Sequence, residues 1–248
     1  AVALIRSLVQ QASEFAFSEE RAGARGGKVR IDRLPIGIAL GIVPWNVPIF
    51  LACLKLATAL LAGCPVVLKP SPENVDSMAF FSRYLARMDL PSGAVNLILG
   101  GRALGDHFVR NDLFRKVSFT GSSASGLAVG QLCAQRFARV TLELGGKSSA
   151  ILLDDVDFTA VKDQLWLAML QNNGQVCGAQ SRVLIPKSRA PELRSALLGM
   201  FEETVVGDPR SPETGIGPVV TAVAANRIRN TCKEATSQGA VLVSGTAE

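Results

Sequence analysis

The chain has 248 residues, enough for one large domain or two modest ones, and its 48% hydrophobic and 19% charged residues are the balance of a globular protein. A net charge of +5 on scattered Lys and Arg argues against a nucleic-acid surface; only Arg21, Arg25, Lys28, Arg30 and Arg33 form a local run, which reads as a solvated ribbon. Five cysteines without paired spacing point to free thiols in a reducing, cytoplasmic setting, and a single histidine, His107, excludes a multi-histidine metal site, so no metal is expected.

Residues 1–21 carry apolar positions at helical spacing (Leu4, Ile5, Leu8, Ala12, Phe15). "RAGARGGKVRIDRLP" then alternates around glycines and predicts an exposed β-hairpin at about 22–34. After Pro35 a rhythm begins. Apolar strands are expected at 36–43, 65–69, 94–99, 116–120 and 139–144, with helices at about 49–62, 75–88, 102–110 and 123–136 between them. The run 49–68 is too broken by Gly63 and Pro65 to span a bilayer, which needs about 20 apolar residues, so no membrane segment is expected.

Short, nearly all-apolar strands alternating with helices predict an α/β fold with a doubly wound parallel sheet. "GGKSS" at 145–149 reads as a crossover to part of a second α/β domain: strand 150–153, helix 157–171, strand 182–186, helices 190–202 and 221–238, and a final strand "AVLVSG". The division expected is 1–144 and 145–248.

In such sheets ligands sit beyond the carboxyl ends of the strands, and the polar motifs fall there. "PWNVP" holds Asn46 between Pro44 and Pro48, where a fixed amide suits an oxyanion, or simply caps the next helix. "VVLKPSPE" ends an apolar strand on Lys69, placed for a ribose hydroxyl or a 2′-phosphate, or snorkelling to solvent. "FTGSSASG" puts Gly121, Ser122 and Gly126 at a strand-to-helix turn, where backbone N–H groups attract phosphate, or where a serine caps the helix. "LELGGK" ends a strand on Glu143, a candidate general base or an ion pair with Lys147. "NNGQVCGAQSR" sets Cys177 among glycines and amides, unlike Cys53, Cys64 and Cys133, which lie in apolar contexts. Trp166, Met169 and Leu170, on the helix before it, line an apolar tunnel or belong to the core.

These motifs, in this order, and the 34-residue separation of Glu143 from Cys177 resemble the aldehyde dehydrogenase superfamily, as does "VGDPRSPETGIGPVV" at 206–220. The resemblance implies a Rossmann-like cofactor domain at 1–144 and a partial catalytic domain at 145–248. It implies Cys177 as nucleophile, Asn46 with the Cys177 N–H as oxyanion donors, and Glu143 as the base that activates water. Cofactor contacts would come from Pro44, Trp45, Lys69, Ser71, Gly121, Ser122, Gly126, Leu144 and Gly145. The implied reaction oxidises a small-molecule aldehyde to an acid through thiohemiacetal and thioester intermediates. Acyl transfer to coenzyme A is the alternative, against which Glu143 stands; so is an inactive protein that kept the fold, against which Cys177, Glu143 and Asn46 together stand. Pro72 occupies the position where many NAD-preferring members carry Glu, with Glu73 next, leaving NAD and NADP both open and the balance toward NAD. Members are longer, so the resemblance implies an internal fragment, poorly active alone, of a homodimer or homotetramer whose oligomerisation hairpin lies at 22–34.

Overall fold

The computed structural model describes residues 1–245, and the chain divides into two compact units, Ala1–Gly145 and the part from Gly146 onward. In the first unit, helix α1 (Val2–Glu14) runs beside α2 (Pro48–Leu61) and leads into an antiparallel hairpin of β1 (Ser18–Ala22) and β2 (Lys28–Asp32). The hairpin thus starts four residues earlier than the alternation suggests, because Ser18–Asp32 and Ala22–Lys28 are its end pairs and the glycines form the turn. Gly26 and Gly27 take positive φ there, 85° and 78°. Its basic run is locally neutralised: Arg21 and Arg33 both reach Glu19, and Lys28 pairs with Glu20.

Five parallel strands follow in the order β5-β4-β3-β6-β7: β3 (Ile38–Val43), β4 (Val66–Pro70), β5 (Val95–Leu97), β6 (Phe114–Gly121) and β7 (Arg139–Leu144). Side chains alternate across the sheet, and each face has its own core. Ala39, Val43, Val66 and Leu68 pack against Ala52 and Leu56 of α2 (Pro48–Leu61) and Met78 of α3 (Val75–Leu85). Leu40, Val117 and Phe119 face the other way, against Val109 of α4 (Arg102–Arg110) and Val129 and Cys133 of α5 (Ser123–Gln135). Burial on both faces is why these strands read as continuous apolar runs, and the doubly wound α/β architecture follows.

The second unit has a two-stranded parallel sheet, β8 (Ser149–Ile151) with β9 (Arg182–Leu184), and helices α6 (Phe158–Leu170), α7 (Ala190–Glu202) and α8 (Ala222–Ser237). Asp157 and Thr221 cap α6 and α8 through their side-chain oxygens. Ala150, Leu152, Leu165 and Leu193 form its core. The expected final strand at 240–245 does not form: a strand needs a hydrogen-bonded neighbour, and among the described residues none lies beside it. Its last neighbours in sequence, 246–248, lie outside the described residues.

Candidate active site

In the first unit the polar motifs gather at the carboxyl ends of the strands, on both faces of the sheet. On the face covered by α2, β6 and β7 run in register with Ser118 opposite Thr141 and Thr120 opposite Glu143. Glu143 stands near the end of the edge strand β7 and is exposed. Beside it lies a lysine to which the sequence reading gave no role. Lys55, in the middle of the apolar helix α2, is buried, and its Nζ donates to Ser118 Oγ at 2.8 Å. Burial drives its pKa from 10.5 down to about 8, against the pull of the Glu143 carboxylate, while Lys116 adds repulsion. Room for its chain comes from Gly41, where a Cβ would sit 3.4 Å from Lys55 Cδ and 2.8 Å from Leu68 Cδ2.

Thr120 was hidden inside the "FTGS" motif. Its buried hydroxyl oxygen has no hydrogen-bond partner among the described residues. A buried orphan of this kind costs stability unless something docks against it.

The loop after β3 is held from the neighbouring strand's end. Asn74, buried, donates through Nδ2 to the carbonyl of Pro44 at 3.0 Å. Trp45 and Asn46 follow, half-buried, and Asn46 Oδ1 accepts from the N–H of Val47 at 3.1 Å. The helix cap itself is Val47, not Asn46.

On the opposite face, a cavity of about 270 Å³ opens between β3, β4, β6, α4 and α5. Its walls include Ile42, Phe119 and Val129, and its polar groups include Lys69, Ser71 and Arg102. Lys69 is buried rather than snorkelling, and its ammonium makes no hydrogen bond among the described residues. Burial lowers its pKa, and Glu73 draws it back up. Ser71 donates to Glu73. Gly105 leaves space beside the lysine, since a Cβ there would lie 3.8 Å from Lys69 Cε.

The two glycines of the β6–α5 turn serve packing first. At Gly121 a Cβ would come within 2.7 Å of the Phe119 ring, and at buried Gly126 it would collide with Leu144. Ser122 is the N-cap of α5 and accepts from the N–H of Ser125 at 3.3 Å. Leu144, the last residue of β7, is half-buried against Gly126 of α5, and Gly145 has open space where a side chain would be.

Cys177 lies in the second unit and is exposed, whereas Cys53, Cys64 and Cys133 are buried and Cys232 is half-buried. Burial raises the thiol pKa of Cys53 and Cys133, which keeps them protonated and inert. Around Cys177 the chain forms no regular structure, and the N–H groups of Val176, Cys177 and Gly178 meet no acceptor among the described residues. The loop is moored on its far side, where the N–H of Gln180 donates to the carbonyl of Ala168 at 3.0 Å. Gly146 lies close by: a Cβ there would be 3.0 Å from the Cys177 carbonyl oxygen. Met169 belongs to the core of this unit, and Trp166 points its Nε1–H at Thr204 Oγ1, 2.8 Å away. Among the described residues no cluster of metal-ligating side chains occurs, and no helix is long and apolar enough to cross a membrane.

The model of the aldehyde dehydrogenase family matches residues 1–248, and the chain belongs to that family. It is 35% identical over 244 residues to a geranial dehydrogenase of Castellaniella defragrans, covering 98% of this chain and 51% of that protein. It is 38% identical over 221 residues to a 3-succinoylsemialdehyde-pyridine dehydrogenase of a Pseudomonas species, covering 88% and 46%. Among solved structures, a Mycobacterium tuberculosis aldehyde dehydrogenase complexed with NAD+ superposes with a TM-score of 0.93 at 36% identity, covering 98% of this chain and 50% of that one. The chain therefore spans about half the length of the relatives it matches.

Proposed function

We propose that this chain supplies the nucleophile, the base and most of the cofactor cleft of an enzyme that oxidises an aldehyde to a carboxylic acid. The observation that carries the reading is the contrast among the cysteines: Cys177 is exposed in a loop with unengaged backbone donors, while three others are sealed in core.

The first unit fits a dinucleotide. An unpartnered ammonium at Lys69, a buried orphan hydroxyl at Thr120 and an apolar cavity beyond the strand ends are what such a ligand would satisfy. Lys69 and Ser71 would hold the adenosine ribose, Ser122 and the α5 N-terminus the pyrophosphate, with Pro44, Trp45, Gly121, Gly126, Leu144 and Gly145 shaping the cleft. NAD is favoured, since solved relatives such as the Mycobacterium tuberculosis enzyme hold NAD+. NADP is the second reading, because Lys69 and Arg102 bring two cations to one cavity and Pro72 offers no carboxylate. When bound, the nicotinamide would accept hydride.

The Cys177 thiolate would attack the aldehyde carbon, forming a C–S bond and leaving the oxygen as an alkoxide. Asn46 and the Cys177 N–H would hold that oxygen. Loss of hydride from the same carbon restores the carbonyl as a thioester on Cys177. Glu143 would then take a proton from water, whose oxygen attacks the thioester and releases the acid and the thiolate. The oligomeric hairpin and the homodimer or homotetramer it implies belong to the same reading.

A test follows from the division of labour. In the whole protein, Glu143→Gln mixed with aldehyde and NAD should leave an acyl group on the Cys177 peptide, read by mass spectrometry. An unmodified Cys177 with the acyl group elsewhere would refute the assignment.

A further inference from the structure

Asn172, Asn173 and Gly174 are three consecutive residues with left-handed φ, 53°, 58° and 71°. Asparagine visits that region singly, and two in succession before a glycine store strain unless something outside the turn holds them. The structure supplies the holder. Nδ2 of Asn173 donates to the carbonyl of Pro218 at 2.9 Å, and its Oδ1 accepts from the N–H of Gly217 at 3.0 Å. Two residues on, Oε1 of Gln175 accepts from the N–H of Val220 at 3.0 Å. The 217–220 stretch has no strand or helix of its own, so these backbone groups find their partners in the two side chains. It also lies against the turn: a Cβ at Gly217 would be in ordinary contact with Pro209 at 3.4 Å and with Asn173 Nδ2 at 3.8 Å.

We propose that Asn173 and Gln175 are positioning residues for the Cys177 thiol, and that residues 217–220 are the brace they grip. The proposal rests on reading Cys177 as the nucleophile. Both side chains act through the backbone: the grip fixes the left-handed turn, the turn sets the direction of the chain at 175–176, and the mooring of Gln180 on α6 closes the other side. The sulfur is thereby kept at the surface beside amides that meet no acceptor among the described residues. Without the grip the turn would relax toward ordinary φ values and the thiol would lose its fixed place.

The two grips differ in chemistry, which makes them testable. Position 173 must both donate and accept across to 217–218; position 175 accepts from Val220 and donates through Nε2 to the carbonyl of Asn172 within the turn, at 3.2 Å. The measurement is alkylation of the native chain by iodoacetamide, resolved by peptide mass into Cys177 and Cys232, the half-buried thiol on α8 serving as internal reference. Asn173→Asp, which turns a carboxylate oxygen toward the Pro218 carbonyl, and Gln175→Leu, which removes the acceptor, should each slow Cys177 relative to Cys232 by about tenfold. Gln175→Glu, which keeps the acceptor for Val220 and loses only the bond to Asn172, should leave Cys177 faster than in Gln175→Leu, between that variant and the original ratio. A role confined to stability would move both thiols together and would not separate Glu from Leu at 175. Unchanged ratios in all three variants, or Gln175→Glu as slow as Gln175→Leu, overturn the proposal; should Asn173→Asp not fold, the pair at 175 decides alone. Failure of the nucleophile reading shows itself elsewhere, as aldehyde oxidation by the whole protein that survives Cys177→Ser.

Discussion

The side-chain amide of Asn74 donates to the carbonyl of Pro44 at 3.0 Å and so ties the loop after β4 to the loop after β3. A buried amide replaced by methyl loses about 1 kcal/mol of net hydrogen bonding. Asn74→Ala is therefore expected to lower stability by about that amount in urea unfolding. Its larger effect should fall on turnover, because Trp45 and Asn46 lose their anchor. Asn74→Asp should do worse than alanine, since a carboxylate then faces a carbonyl. Equal turnover in all three forms would show that the tie has no functional weight.

Lys55 makes stability depend on alkaline pH in an unusual direction. Its pKa is 10.5 in the unfolded chain and about 8 when folded. Between those values the unfolded chain holds a proton the folded chain has released, so unfolding becomes harder as pH rises. Below pH 8 the ammonium is present in both states and its burial cost is felt in full. The rise amounts to about 3 kcal/mol over the window. Lys55→Met should abolish this component, seen as the difference between the two proteins' urea midpoints across the window. Parallel pH profiles would contradict the burial argument.

Gly126 and Leu144 are coupled through one contact. A methyl group at 126 would meet the Leu144 side chain, and overpacking of this kind costs about 1–3 kcal/mol. Gly126→Ala should destabilise, while Leu144→Ala in the same chain should recover much of the loss. A double-mutant cycle with no coupling energy would place the contact elsewhere.

Lys69 and the cavity predict binding of half a cofactor. 5′-AMP, measured by calorimetry on the chain, should bind about tenfold more weakly to Lys69→Ala, the scale of one charge-assisted hydrogen bond. Adenosine 2′,5′-bisphosphate compared with 5′-AMP separates NADP from NAD, and Arg102→Ala should weaken only the bisphosphate.

Much of this fold is legible because both faces of the central sheet are covered. Leu40 and Val43 point to opposite cores, yet both had to be apolar, so the strands stand out as runs. The motifs at the strand ends are legible for a related reason: Lys69 and Glu143 break apolar strands where a core would not tolerate them. Lys55 carries no role in the sequence reading because one charge in a 14-residue apolar helix belongs to no motif, and only the packing shows that it points inward to Ser118. Thr120 looks like any strand threonine until its hydroxyl is found unpartnered. The grip of Asn173 on Pro218 joins residues 45 apart in a loop without periodicity. The stretch 240–245 misleads in the other direction, since β propensity without a neighbouring strand yields no strand.

The central claim is that the sulfur of Cys177 takes the aldehyde. Its most direct measurement is the appearance of reduced nicotinamide in the first turnover, when the whole protein is mixed rapidly with NAD and aldehyde. The account predicts a burst matching the enzyme present, retained in Glu143→Gln with slow turnover after it, and lost entirely in Cys177→Ser. A burst of undiminished size and rate in Cys177→Ser would contradict it.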